Sequence, residues 1–184
     1  MGKLSLILGG ARSGKSTYAE KLAKERGGDL VLYLATSEAK DDEMRARIAK
    51  HRAARPSAWV TLEAPRRIAQ VLGRERHGET LVLVDCITVL VANILLKEGG
   101  GAEGDPFQSK VGEAVDAEVA ELLEFIRQSD ADFLLVSNEV GMGLVPAYAL
   151  GRAYRDLLGR VNQRLAAAAD EVFFLVAGLP MRVK

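Results

Sequence analysis

The 184-residue chain is 48% hydrophobic and 27% charged and has five prolines, a composition typical of a globular protein rather than a disordered one. Its 25 Lys and Arg residues balance 25 Asp and Glu residues, so we do not expect nucleic acid or an anionic membrane surface to be its main partner. The single cysteine, Cys86, excludes an intramolecular disulfide and a multi-cysteine zinc site.

The length predicts a single domain over residues 1–184, because it provides for one core and the sequence shows neither repeats nor a dividing linker. The glycine-rich stretch 99–106 is predicted to be a loop inside that domain. We see no signal-peptide pattern, and the longest apolar stretch, residues 87–96, is far shorter than the ~20 residues of a membrane-spanning helix. These features predict a cytoplasmic protein that does not insert into membranes.

Short runs rich in Val and Leu predict buried strands of a parallel sheet at residues 4–8, 30–35, 81–84, 133–136 and 172–176. Segments with helical spacing of apolar residues lie between them, among them residues 115–126, with Glu118 on the outer face, and 150–165. A turn at residues 178–180 is predicted to lead into an antiparallel edge strand at 181–183. The alternation predicts an α/β fold in which helices flank a mostly parallel sheet.

The most specific motif lies between the first predicted strand and a predicted helix at residues 16–24. It reads Gly9-Gly10-Ala11-Arg12-Ser13-Gly14-Lys15-Ser16 and fits G-x-x-x-x-G-K-[ST] at every position. Backbone N–H groups of such a loop surround phosphate oxygens at a helix N-terminus. Lys15 is predicted to reach the β- and γ-phosphates and the Ser16 hydroxyl to ligate Mg²⁺, so the sequence predicts binding of a nucleoside triphosphate.

Asp85 follows the predicted strand 81–84, the position at which ligands bind in open α/β sheets. It is predicted to be a second Mg²⁺ partner. The alternative is that Asp85 caps the helix that begins at Ile87, and the two roles are compatible.

His51 is a candidate nucleophile at the end of a predicted amphipathic helix over residues 41–51. Basic neighbours disfavour protonation of its imidazole, and a neutral imidazole can attack an α-phosphate to form a phosphoramidate. From the residues alone, an ordinary surface histidine is the favoured interpretation. The other histidine, His77, is predicted to lie in a loop.

These features predict small-molecule phosphoryl transfer. The chain lacks the Asn-Lys-x-Asp tetrapeptide with which switch GTPases read guanine, and its neutral charge disfavours motors and recombinases that act on polymers. Two other functions remain open: a kinase for another small molecule, in which His51 is inert, and a non-enzymatic regulator that hydrolyses nucleotide slowly.

Four segments resemble the bifunctional adenosylcobinamide kinase / adenosylcobinamide-phosphate guanylyltransferase family of cobalamin biosynthesis. They are the phosphate loop, residues 34–37 together with 41–48, residues 138–146, and residues 159–170. The resemblance implies a RecA-like P-loop fold and a homotrimer. It also implies two reactions: ATP or GTP phosphorylates the aminopropanol hydroxyl of adenosylcobinamide, and GMP is then transferred from GTP to adenosylcobinamide phosphate with release of pyrophosphate.

In this family GMP passes through a guanylylated histidine, whose position matches His51. Members often have two adjacent histidines there, whereas this chain has Lys50-His51. The same matching implies that the nucleotide site includes Ala35, Thr36, Ser37, Arg52, Ala53, Ala54, Arg55, Glu63 and Asp85. For Glu63, an ordinary solvated acid is an equally weighted alternative.

Two of the resembling segments leave alternatives open. Residues 138–146 are expected to contact the corrinoid, to gate its entry, or to form a structural turn, with the side chains of Asn138 and Glu139 facing the same crevice as Asp85. Arg160 and Arg164 are expected to face either a phosphate or a neighbouring subunit.

Overall fold

The computed structural model describes residues 2–37, 55–99 and 105–184, which form a seven-stranded sheet with helices on both faces. Its strands are β1 (Leu4–Gly9), β2 (Val31–Ala35), β3 (Val60–Glu63), β4 (Leu81–Asp85), β5 (Asp132–Asn138), β6 (Glu171–Val176) and β7 (Leu179–Arg182). The helices within these residues are α1 (Lys15–Gly27), α2 (Ile68–Glu75), α3 (Ile87–Glu98), α4 (Ser109–Gln128) and α5 (Ala149–Ala168).

The strand order across the sheet is β3-β2-β4-β5-β1-β6-β7. Neighbouring strands from β3 to β6 pair in parallel, and β7 pairs antiparallel with β6. Parallel strands end at the same side of a sheet, so the loops that follow β1 to β5 meet there. We call this side the carboxyl edge.

The predicted α/β fold with a mostly parallel sheet and an antiparallel last strand is confirmed. The last strand begins at Leu179, two residues before its predicted start. The preceding turn is formed by Ala177 and Gly178, with φ angles of 50° and 84°. Two positive φ angles are the signature of a type I′ turn, which matches the twist of a two-residue hairpin.

Alternate strand residues enter two different core layers. Leu6, Leu32 and Phe133 pack in the layer that contains helices α2 to α5. Ile7 and Tyr33 pack in the layer that contains α1. Because both faces of the central strands are covered, these strands are nearly continuously apolar in sequence.

An ionic cluster fastens the start of β6 to β1 and α1. The carboxylate of Glu171 accepts hydrogen bonds from Ser5 Oγ at 3.0 Å and Arg26 Nη2 at 2.9 Å, and Lys3 Nζ lies 2.8 Å away. Burial pushes the pKa of Glu171 upward, but these three partners outweigh it and lower the pKa to about 2.

Helix α2 and strand β3 are not predicted by the sequence analysis. The N-terminus of α2 has no local side-chain cap and begins after Arg67, whose φ is 54°. Instead, the Glu118 carboxylate of α4 accepts hydrogen bonds from the backbone N–H groups of Arg67 (2.9 Å) and Ile68 (2.8 Å). The prediction that Glu118 lies on the outer face of its helix is therefore wrong, because this half-buried residue caps a neighbouring helix.

His77 lies in a loop, as predicted. Across the described ranges 2–37, 55–99 and 105–184, no helix combines the length and apolar character needed to cross a membrane.

Candidate functional site

The phosphate loop joins β1 to α1 at the carboxyl edge, in the strand–loop–helix context that the motif requires. Gly14 has a φ of 92°, and a Cβ at this position would lie 3.1 Å from the Cα of Gly178. Both the backbone conformation and this close approach require glycine. The turn between β6 and β7 thus packs directly against the phosphate loop.

Neighbouring elements hold the backbone of the phosphate loop on two sides. The N–H of Gly178 donates to the carbonyl oxygen of Ser13 at 2.9 Å, and the N–H of Glu139, after β5, donates to the carbonyl oxygen of Gly9 at 2.9 Å. These contacts connect residues far apart in the chain. They fix the loop at its first residue and near its middle.

Lys15 is buried at the start of α1, where its ammonium group turns back toward the loop. Its Nζ donates to the carbonyl oxygen of Gly10 at 2.6 Å and lies 3.5 Å from Ser13 Oγ. Burial lowers the pKa of Lys15, while the nearby Cys86 and Asp85 oppose that change. A cation beside the N–H groups of a helix N-terminus can bind the phosphates of a nucleotide.

Asp85 is the last residue of β4, and β5 lies between β4 and β1 in the sheet. Two strand spacings separate β4 from the phosphate-loop strand by about 10 Å. Tyr33 donates a hydrogen bond to Asp85 Oδ2 at 2.8 Å. The N-cap of α3 is Cys86, so the alternative that Asp85 caps this helix is wrong.

The buried Arg55 side chain is linked to Asp85 through Tyr33. Its guanidinium carbon is 3.2 Å from the centroid of the Tyr33 ring, and its Nε is 3.8 Å from Oε1 of Glu20 on α1. Burial and the charge of Asp85 raise the pKa of Tyr33, which keeps the phenol protonated as a donor. Arg55 and Asp85 are among the predicted site residues, whereas Tyr33, which joins them, is not.

Thr36 is fully buried where β2 ends. Its hydroxyl donates to the carbonyl oxygen of Cys86 at 2.7 Å and accepts from the N–H of the same residue at 2.9 Å. The Nδ2 of Asn93 donates to the carbonyl oxygen of Thr36 at 2.9 Å. The Thr36 side chain therefore supports the β4–α3 junction. Among the predicted site residues 35–37, Ala35 and Thr36 are buried and Ser37 is half-buried.

Cys86 is unsuited to nucleophilic attack at neutral pH. Burial, together with the charge of Asp85, raises the pKa of its thiol to about 11.

Asn138 and Glu139 begin the loop that follows β5. The backbone N–H of Asn138 donates to Thr88 Oγ1 at 2.7 Å. The Glu139 carboxylate accepts hydrogen bonds from the N–H groups of Gly141 and Met142. The prediction that the Glu139 side chain faces the crevice is therefore wrong, since the carboxylate folds back onto its own loop.

The segment 159–170 contributes a residue that the sequence analysis overlooks. Asn162 is buried on α5, accepts from Ser137 Oγ at 2.7 Å and donates to the carbonyl oxygen of Asn138 at 3.0 Å. Arg164 instead pairs within the protein, with Asp116 Oδ1 of α4 at 2.6 Å. The sequence signal for Asn162 is an amide at helical spacing from Leu158 and Leu165, on the apolar face of the helix. An amide buried there needs hydrogen-bond partners.

The remaining predicted site residues divide into two groups. Glu63 is exposed at the end of β3 and so lies at the carboxyl edge. His51, Arg52, Ala53 and Ala54 lie outside the described residues, as do residues 100–104 of the predicted loop. Within the ranges that are described, no cluster of three or more His, Cys, Asp or Glu side chains is arranged to hold a metal ion.

Comparison with known proteins identifies the family of this chain. The family described as cobinamide kinase / cobinamide phosphate guanyltransferase matches residues 5–183. The chain is 43% identical to the bifunctional adenosylcobalamin biosynthesis protein CobU of Escherichia coli over 180 residues, which are 97% of this chain and 98% of the relative. It is 45% identical to the bifunctional adenosylcobalamin biosynthesis protein CobP of Pseudomonas aeruginosa over 179 residues, 97% of this chain and 96% of that relative.

Among solved structures, the chain is similar to the flagellar accessory protein FlaH from Methanocaldococcus jannaschii, with a TM-score of 0.54, 16% identity, and coverage of 99% of this chain and 78% of that one. At this identity the likeness shows the fold alone, which is that of the P-loop NTPases. With the phosphate loop intact and the family match extending over nearly every residue, the chain belongs to the cobinamide kinase / cobinamide phosphate guanyltransferase family, a family of bifunctional transferases.

Proposed function

We propose that the protein phosphorylates adenosylcobinamide with ATP or GTP and then transfers GMP from GTP to adenosylcobinamide phosphate through a guanylylated His51. The observation that carries this proposal is the complete phosphate loop, with the buried Lys15 ammonium inside it, in a chain that matches the family from residue 5 to residue 183.

In the kinase step, the aminopropanol hydroxyl oxygen attacks the γ-phosphorus, its proton passes to water, and the bond between that phosphorus and the β–γ bridging oxygen breaks. Lys15 and the N–H groups at the start of α1 stabilise the negative charge on the phosphoryl oxygens. Their positions are fixed before the nucleotide arrives, because Gly178 and Glu139 hold the loop backbone. Such preorganised donors supply most of the acceleration in reactions of this class.

Ser16 and Asp85 would hold Mg²⁺. Hydroxyl and carboxylate oxygens are the hard ligands that Mg²⁺ prefers, and this ion usually takes only one or two protein ligands beside water and phosphate oxygens. When bound, it neutralises charge on the β- and γ-phosphates. Tyr33 fixes one oxygen of the Asp85 carboxylate by the 2.8 Å hydrogen bond, which orients the other oxygen of that group.

In the guanylyl step, a ring nitrogen of His51 attacks the α-phosphorus of GTP, and pyrophosphate leaves as the bond between that phosphorus and the α–β bridging oxygen breaks. A phosphate oxygen of adenosylcobinamide phosphate then attacks the same phosphorus, which breaks the P–N bond and regenerates the imidazole. The anchoring of Arg55 against Tyr33 supports this role.

We further propose that residues 1–184 act as one domain, that three copies assemble as a homotrimer, and that the protein works in the cytoplasm. The family resemblance supports the trimer. The family match over nearly the whole chain supports the single domain.

The test is the intact mass of the protein after incubation with GTP and Mg²⁺, for the wild type, His51→Ala and His77→Ala. His77 is the matched control because it is the other histidine of the chain and lies in a loop. We expect the wild type and His77→Ala to gain the mass of one GMP, stable in base and labile in acid, as a phosphoramidate is. His51→Ala should gain nothing.

Labelling of His51→Ala would show that another residue is the nucleophile. If no variant were labelled but adenosylcobinamide were phosphorylated, the protein would be a kinase without the guanylyl step. A Lys15→Ala variant that kept its nucleotide affinity would overturn the assignment of the phosphate loop itself.

A further inference from the structure

Four large apolar side chains stand out from the loop between β5 and α5. Met142, Leu144, Val145 and Tyr148 are 81%, 96%, 64% and 67% exposed. Single exposed apolar residues are ordinary, but four within seven positions of one loop are the kind of concentration found at binding surfaces. We call these four residues the apolar arm.

The first half of the loop is held in shape by its own acidic residue. The Glu139 carboxylate accepts hydrogen bonds from the backbone N–H groups of Gly141 and Met142, the second at 3.2 Å. This arrangement fixes the chain as it leaves the sheet. Met142 is therefore displayed by an ordered turn.

The second half is fastened to α5. The Nη1 of Arg152 donates to the carbonyl oxygens of Pro146 at 3.2 Å and of Ala147 at 2.7 Å. At Gly151, an added Cβ would lie 2.7 Å from Cε2 of Tyr148, so the Tyr148 ring lies directly on the helix backbone. Both ends of the loop that carries the apolar arm are thus anchored.

The loop also begins at the phosphate loop. The N–H of Glu139 donates to the carbonyl oxygen of Gly9 at 2.9 Å, and β5 pairs with β1 up to the register of Asn138 with Gly9. Met142 is three residues further along, which is at most about 11 Å of chain. A large ligand can therefore contact the apolar arm while one of its ends reaches the phosphate loop.

We propose that the apolar arm is the binding platform of the corrinoid substrate, an inference that rests on the proposed kinase function. A corrin ring is a large plate with methyl groups around its rim, attached through a side arm to the hydroxyl that is phosphorylated. Flexible methionine adapts to such a surface, and Tyr148 offers a flat ring with a polar end. The ring lies on the arm while its hydroxyl reaches the phosphate loop.

The experiment compares wild type, the double variant Met142→Ser/Leu144→Ser, and Leu30→Ser. Leu30 is the matched control because it is 55% exposed and precedes β2, at the opposite end of the strand from the carboxyl edge. Cobinamide binding is measured by equilibrium dialysis through its visible absorbance. Affinity for a fluorescent GTP analogue and the sedimentation coefficient are measured on the same samples.

We expect the double variant to bind cobinamide at least roughly tenfold more weakly, since burying even one such side chain is equivalent to about that factor. GTP-analogue affinity and sedimentation should be unchanged, and Leu30→Ser should match the wild type. Unchanged cobinamide affinity would overturn the inference. If the sedimentation coefficient alone fell, the arm would be an interface between copies of the chain. If the wild type bound GTP analogue but not cobinamide, the proposed function would fail, and this inference with it.

Discussion

Replacement of Asn162 by alanine is expected to destabilise the protein by about 3 kcal/mol. The side chain joins two groups, the buried Ser137 hydroxyl at 2.7 Å and the half-buried Asn138 carbonyl at 3.0 Å. A buried polar group that loses its partner costs about 1–3 kcal/mol, and two such groups are left. Alanine returns only about 0.5 kcal/mol through its higher helix propensity, so the loss dominates.

The assay is urea denaturation at one fixed protein concentration, because any subunit association makes the unfolding midpoint depend on concentration. Gln163→Ala is the matched control, since Gln163 is the next residue on the same helix and is exposed. Its free energy of unfolding should stay within about 0.5 kcal/mol of the wild type. Ser137→Ala and the double variant with Asn162→Ala complete a cycle.

The two residues should couple by about 1 kcal/mol in this cycle, because the double variant leaves fewer stranded groups than the single variants together. Two results would refute the reasoning. One is a loss below about 1 kcal/mol in Asn162→Ala, and the other is strict additivity in the cycle.

Three further outcomes are expected. Gly14→Ala should weaken binding of a fluorescent GTP analogue more than tenfold, because φ at this residue is 92°. Gly10→Ala is the control and should not weaken it, because a Cβ at residue 10 meets no atom within 4 Å. Equal affinities of the two variants would contradict this prediction. Tyr33→Phe should raise the Mg²⁺ concentration for half-maximal kinase activity about tenfold by releasing Asp85, and an unchanged Mg²⁺ titration would speak against that role. Because the pKa of Glu171 is lowered to about 2 from an ordinary 4.5, its contribution to stability is complete above pH 4.5 and is lost as the pH falls toward 2. Acid unfolding curves should show this loss in the wild type and not in Glu171→Gln, and identical curves would count against it.

The central strands and the phosphate loop could be predicted because their signals are local. A strand buried on both faces is apolar at nearly every position, and the phosphate loop has required residues at fixed spacing. β3 carries neither signal, since it has four residues and Val60 and Glu63 at its ends are exposed. Helix α2 lacks a cap in its own sequence and takes one from Glu118, about 50 residues later.

Within the site, the sequence pointed to charged residues more readily than to the side chains that position them. Asp85 and Arg55 follow from motif and resemblance, but Tyr33 reads only as part of an apolar strand. Its hydroxyl matters because the neighbouring strand β4 places Leu83 opposite Tyr33 and a carboxylate, Asp85, two residues further along. A partner defined by the register of two strands cannot be read from either strand alone.

The contact between Gly178 and Ser13 has a consequence for synthesis on the ribosome. The phosphate loop is encoded at residues 9–16, yet β1 pairs with β5 and β6, and the loop is fastened from residue 178. A nascent chain that ends before residue 132 has neither neighbour for β1. Nucleotide can therefore bind in its final geometry only after most of the chain has left the ribosome, and GTP cannot serve as an early template for folding.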